Sequence, residues 1–161
     1  MDNGTDLDAR LRALEDVEAI KQLKYRYFRC LDLKLWDDLR ECFVPDATVA
    51  YGGGQYCFDG VDAILDFLVR SLGAESGSLG AHHGHHPEIE LTGPATARGS
   101  WALDNYLFNV RQKRALRIAA YYRDEYVKVA TGWRIRHTGY TLLFQEEWSR
   151  DDLPSLRLVA P

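Results

Sequence analysis

Residues 96–144 read TARGSWALDNYLFNVRQKRALRIAAYYRDEYVKVATGWRIRHTGYTLLF. Apolar and polar side chains alternate through Thr96–Val110, Ala115–Val129 and Trp133–Phe144, and the polar run 111–114 and Thr131-Gly132 separate them. A period of two broken by short turn-forming stretches predicts long antiparallel strands. A shorter strand at about Glu88–Leu91 precedes them, punctuated by Gly93-Pro94.

Upstream the period changes. Leu7, Leu11, Leu14, Val17, Ile20, Leu23, Tyr27 and Leu31 recur at steps of three and four, which marks one buried stripe on a long helix. A break is expected at Leu31–Lys34, then a short helix through Trp36, Leu39 and Phe43 that Pro45 and Asp46 close. Ala47–Tyr51 reads as a strand, GGG at 52–54 as its turn and Tyr56–Phe58 as its hairpin partner. Asp59, a possible cap, precedes a third helix carrying Val61, Ile64, Leu65 and Leu68, and residues 73–80 read as loop. Helices first and antiparallel strands after define an α+β domain, a bent sheet wrapped from one side into a cone. The expectation is one domain over 1–161, with a core of about 8–147 and a tail 148–161 that is charged and then apolar (Leu153, Leu156, Leu158, Val159).

Bulk composition narrows the function. The 161 residues are 46% hydrophobic and 27% charged, with a net charge of −4. Those values suit a soluble globular domain, and no dense Lys/Arg run offers a footprint for nucleic acid. No stretch has the length to cross a bilayer, and the polar start MDNGTDLDAR holds no apolar signal core. Cys30, Cys42 and Cys57 form neither a metal-like pair nor an even set for disulfides, so a reducing cytoplasm is the expected compartment.

Three groups of residues could carry chemistry. Tyr27 and Asp32 lie five helical steps apart, about 140° around the axis, so both reach one cavity only if the helix frays near Leu31. Otherwise they are a core tyrosine and a solvated aspartate. The cluster His82-His83-Gly84-His85-His86-Pro87 offers a general base. It lacks the helical spacing that aims two ring nitrogens at one ion, so no metal is expected. Strand parity does not choose among these histidines, because Ile89 and Leu91 point with His85 and His83 unless Gly84 permits a bulge. On the next strand Asn105 shares a face with Trp101, Leu103 and Leu107, where it is either a structural hydrogen bonder or a substrate-orienting group. Tyr121, Tyr122, Tyr126, Trp133, Tyr140 and Phe144 read first as packing groups.

A resemblance adds what spacing does not decide. Val17–Asp32, with Lys34, Trp36 and Asp37 after it, resembles the first helix of the bacterial bile acid 7α-dehydratases. So do His82-x-Gly84-His85-x-Pro87-Glu88-Ile89, Ala97-x-Gly99-x-Trp101 and Gly139-Tyr140. Gly132-Trp133 is similar too, although the family places one residue between its glycine and tryptophan. The likeness covers most of residues 10–147 and points to the SnoaL-like, nuclear transport factor 2-like family that includes scytalone dehydratase. It implies a cone-shaped α+β barrel whose catalytic core is Tyr27, Asp32 and His82. Substrate contacts are expected at Trp101, Asn105, His85 and Tyr140. Two positions depart from the bile acid enzymes: Asn105 stands in place of an acid, and Leu142 in place of an arginine beyond the Gly-Tyr pair.

The expectation is therefore a cofactor-free, dehydratase-type lyase acting on a small hydrophobic cyclic substrate. A double-bond isomerase or cyclase using the same groups, and a non-catalytic protein binding an apolar ligand, are the alternatives. The resemblance also implies a homo-oligomer, with a trimer favoured over a dimer.

Overall fold

The computed structural model describes residues 3–159; residues 1, 2, 160 and 161 of the expected domain lie outside them. The period-two segments form the sheet; β3, β5 and β6 run longer than their patterns, and β4 stops one residue short of its own. β3 (Ser78–Gly93), β4 (Thr96–Asn109), β5 (Arg114–Val129) and β6 (Gly132–Ser149) make an antiparallel meander. β1 (Phe43–Tyr51) pairs with β6 in parallel, and β2 (Tyr56–Asp59) closes the edge, giving the order β2-β1-β6-β5-β4-β3. Alternate residues bury one face: Ala97, Trp101, Leu103 and Asn105 on β4, and Ile118, Ala120, Tyr122, Asp124 and Tyr126 on β5. Burying an apolar side chain the size of Leu103 or Ile118 contributes about 1.5–3 kcal/mol.

Helices cover that face. α1 (Asn3–Leu33) packs on β3 and β6, α3 (Val61–Leu72) on β1 and β2, and α2 (Trp36–Arg40) bridges α1 and α3. The result is the expected cone, helices on a curved and mostly antiparallel sheet. Among the described residues no helix is long and apolar enough to cross a membrane.

Several local expectations are overturned. α1 stops at Leu33, inside the expected break, but does not fray at Leu31. It ends in a capped turn with Lys34 at φ 59°, where Leu35 N–H donates to Cys30 O (2.9 Å) and Lys34 N–H to Leu31 O (3.3 Å), the paired bonds of a left-handed helix stop. The stripe is buried only in its second half: Ile20, Leu23, Tyr27 and Leu31 are in the core, whereas Leu7, Leu11 and Leu14 are each more than half exposed. Phe43–Pro45 is strand, not helix. Pro45, which has no N–H to give, falls where the β1–β6 register shifts between Phe43 and Thr48. Gly60, at φ 85°, is the N-cap of α3, and no side-chain cap comes from Asp59. Residues 78–80 belong to β3, and Trp148 to β6. The remaining tail is exposed after a short turn at Arg150–Asp152.

One polar group lies at the centre of the core. Lys24, fully buried, sets its ammonium 2.8 Å from Asp124 and donates to Thr138 Oγ1 (3.2 Å). Asp124 also accepts from Thr138 (2.7 Å) and Tyr126 (2.6 Å), and Tyr126 accepts from Trp101 Nε1 (3.0 Å).

Candidate active site

His82 enters the cone through a bulge. Gly84 and His82 face α1 while His83 and His85 face away, and the register shifts between His85 and Glu88, with His86 at φ 50°. That extra residue reverses parity, so Ile89 and Leu91 rejoin the inner face below it. The bulge anticipated at Gly84 therefore lies at His86. Gly84 has a different task. A Cβ there would come 2.2 Å from Phe28 Cε2, so only glycine lets α1 approach β3 this closely.

That approach brings Asp32 to His82. His82 Nδ1 and Asp32 Oδ1 are 2.6 Å apart, and the His82 backbone N–H lies 3.2 and 3.1 Å from the two carboxylate oxygens. The His82 side chain is 8% exposed and Asp32 26%. An Nδ1–H donated to the carboxylate leaves Nε2 as the free basic nitrogen. No fraying is needed, because Asp32 reaches sideways to β3 while Tyr27 faces inward from the previous turns.

The cavity within the cone has a volume of about 390 Å³, inside the range of small-molecule sites. Tyr27, His82, Asn105 and Tyr140 line it, with Tyr51, Phe67, Leu72, Leu116 and Tyr122. Ser78, Asn109, Gln112 and the ion pair Arg114–Glu147 form its polar mouth. The Tyr27 and Tyr51 hydroxyls are 3.0 Å apart. Burial, then the adjacent Tyr122 and Tyr51, hold the Tyr27 phenol well above its ordinary pKa. It is a neutral donor at physiological pH. Beneath it the Lys24 ammonium lies 4.5 Å from the Tyr27 ring centre and 3.7 Å from that of Tyr122.

Two expected contacts are misplaced. Trp101 is wholly buried in the core with its N–H spent on Tyr126, and it does not reach the cavity. His85 is exposed on the outer face beside His83, their ring centres 6.1 Å apart. Tyr121 and Phe144, expected to pack, are about half exposed there as well. The reading from sequence missed Tyr51 and Tyr122 as cavity walls, and Lys24 and Asp124 beneath them.

Fold and site together define a small α+β cone with an imidazole on the wall of an aromatic cavity and a carboxylate bound to that imidazole from outside the cavity lining. Residues 12–139 match the SnoaL-like domain, and the chain belongs to that family. A putative scytalone dehydratase from Novosphingobium aromaticivorans is 20% identical, with a TM-score of 0.77 over 84% of this chain and 89% of that one. A type 2 hexachlorocyclohexane dehydrochlorinase (LinA) is 18% identical, with a TM-score of 0.80 over 94% and 98%. A nuclear transport factor 2-like protein with a cystatin-like fold, also from N. aromaticivorans, is 27% identical, with a TM-score of 0.69 over 89% and 92%. These likenesses establish family and fold, not a nearer kinship with the bile acid dehydratases.

Proposed function

We propose that the protein is a cofactor-independent lyase of the dehydratase type, acting by acid–base elimination on a small hydrophobic cyclic substrate. The observation that carries this reading is the 2.6 Å contact between Asp32 and His82, whose ring lines the aromatic cavity while Asp32 holds it from outside that lining. Nε2 of His82 takes a proton from a carbon next to a carbonyl. Asp32 orients the ring and stabilises the imidazolium that forms. Tyr27, kept neutral by burial, donates a hydrogen bond to the carbonyl oxygen as charge builds there. The electrons of the broken C–H bond form the double bond, the leaving group departs from the adjacent carbon, and the imidazolium returns its proton to it. Asn105 and Tyr140 are the proposed substrate contacts that the cavity retains. Two structural relatives bear the names of a dehydratase and a dehydrochlorinase, both eliminations, which adds to the same reading.

The test is turnover with mass analysis of products from a panel of cyclic ketones. General-base catalysis is worth about 10²–10⁴-fold, so His82→Ala should lower kcat by that much. Asp32→Asn and Tyr27→Phe should lower kcat more than they raise KM, the mark of interactions made in the transition state. Product formation by His82→Ala at the wild-type rate would remove His82 as the base. Products of unchanged mass would replace elimination with isomerisation by the same groups.

A further inference from the structure

Three contacts in sequence hold α1 and the residue after it to β3. Phe28 lies over Gly84, Asp32 binds His82, and Lys34 reaches Ser78. Lys34 Nζ donates to Ser78 O (3.1 Å) and to Leu72 O (2.5 Å), the first residue of β3 and the last of α3. One ammonium thus joins three elements just behind the dyad. Lys34, Leu72 and Leu79 line a gap of about 10 Å³ there, beside Asp32 and His82, with room for one water at most. Asp32 needs a cation in this place. It lies at the C-terminal end of α1, where the helix dipole opposes a carboxylate and favours positive charge. The last turn of α1 holds no basic residue, and Lys34 supplies one from just past it.

We infer that Lys34 is a positioning residue for His82: its ammonium straps the end of α1 to α3 and β3, and so holds the Asp32 carboxylate against Nδ1. The inference rests on the reading of His82 and Asp32 as the acid–base pair and adds a residue to it. Without the strap, Asp32, already 26% exposed, is free to turn to solvent. The imidazole then loses the partner that keeps its proton on Nδ1 and leaves Nε2 basic towards the cavity. The strap also responds to pH. Burial works against the ammonium and the charge of Asp32 works for it; burial prevails, so Lys34 gives up its proton below the ordinary lysine range. Among the described residues no other charged group competes for it. α3 offers the Leu72 carbonyl and β3 that of Ser78, His82 is turned to Asp32, and Glu75 on the intervening turn pairs with Arg111 (3.9 Å). As pH rises through the lowered pKa, the charge that attracts Asp32 and strengthens both hydrogen bonds is lost.

The measurement is nitrogen NMR of the protein isotopically labelled at histidine, with the His82 signals identified by their loss in His82→Ala. At neutral pH the wild type should carry the Nδ1–H tautomer, and Lys34→Met should shift towards the Nε2–H form that free imidazole prefers. Lys34→Arg still donates and cannot lose its proton, so it should restore the wild-type signal. On raising the pH, the wild type should make the same shift below the range where free lysine titrates, and Lys34→Arg should not. With a substrate from the ketone panel, Lys34→Met should lower kcat about tenfold to a hundredfold and leave KM within about twofold, as a displaced reacting group does. A wild type already in the Nε2–H form, or one whose tautomer holds through the lysine range, would overturn the inference. So would a Lys34→Met protein with the wild-type tautomer or the wild-type kcat, or a Lys34→Arg protein that behaves like it. Should Lys34→Met lack a cooperative thermal transition, the pH comparison between the wild type and Lys34→Arg decides alone. If His82→Ala turns over at the wild-type rate, the acid–base reading fails instead, while the tautomer still decides whether Lys34 holds Asp32 to His82.

Discussion

Lys24 occupies a position where the helix pattern calls for a leucine. It lies on the stripe of Ile20, Tyr27 and Leu31, and its whole length is buried. A lone ammonium there would be prohibitively costly. It persists because Asp124, Thr138 and the faces of Tyr27, Phe28 and Tyr122 surround it. Such pairs add little net stability, yet removing one member leaves the other uncompensated, at a cost of about 3–5 kcal/mol. Lys24→Met should therefore lower the free energy of unfolding in urea by that amount. Lys24→Met combined with Asp124→Asn should recover most of it, because the amide oxygen accepts from Tyr126 while its NH2 donates to Thr138 Oγ1, which the lysine has vacated, without a charge. A single variant as stable as the wild type would contradict the account. Both partners were visible in the sequence, Lys24 by its place on the stripe and Asp124 by sharing parity with Tyr122 and Tyr126. Charge alone led away from them.

At the scale of elements, the site is made by how closely α1 approaches β3. Gly84 sets that distance, with Phe28 over its missing side chain, and Asp32 lies one turn further along the same helix. Gly84→Ala would push Phe28 and α1 outward, so the Asp32–His82 contact lengthens before anything else in the core is disturbed. Overpacking of this kind costs about 1–3 kcal/mol. The variant should fold with a lowered thermal midpoint and lose most of its turnover. A variant with reduced stability but full activity would separate the dyad from the packing. Much at this scale was legible from sequence: the stripe gave α1, alternation gave β4 to β6, and the GGG turn gave the β1–β2 hairpin. The choice of His82 among four histidines was not, since parity fails across a bulge and nothing local announces that His86 takes a positive φ. The resemblance to the family's motif selected His82, and the contact with Asp32 gives that choice its geometry. Trp101 and His85 came with the same motif and were misassigned, one turned into the core and the other outward.

Across the whole molecule, exposed apolar side chains among the described residues include groups at the start of α1, on the outer face of β5 and β6, and in the tail. Leu7, Leu11 and Leu14 project from the helix; Tyr121, Leu143 and Phe144 stand on the outer sheet; Leu153, Leu156, Leu158 and Val159 trail after it. Contiguous exposed apolar surface is a liability in a lone protomer and the usual substance of an interface. The sheet face is the strongest of the three, because Phe144 is opposite Ala119 and Tyr121 opposite Thr141 on rigid strands, with little side-chain order left to lose on docking. The expected assembly is a homotrimer that buries this face, of three times 18.4 kDa in light scattering at micromolar concentration. Phe144→Asp sets a charge at its centre and should yield monomers, whereas Leu158→Asp in the exposed tail should shift assembly less. Tyr27, Asp32 and His82 all belong to one chain, so the monomeric variant should keep its cavity and still bind small cyclic ketones. A wild type that scatters as a single chain would end the expectation of assembly. A Phe144→Asp protein that stays trimeric would move the interface to α1 or the tail.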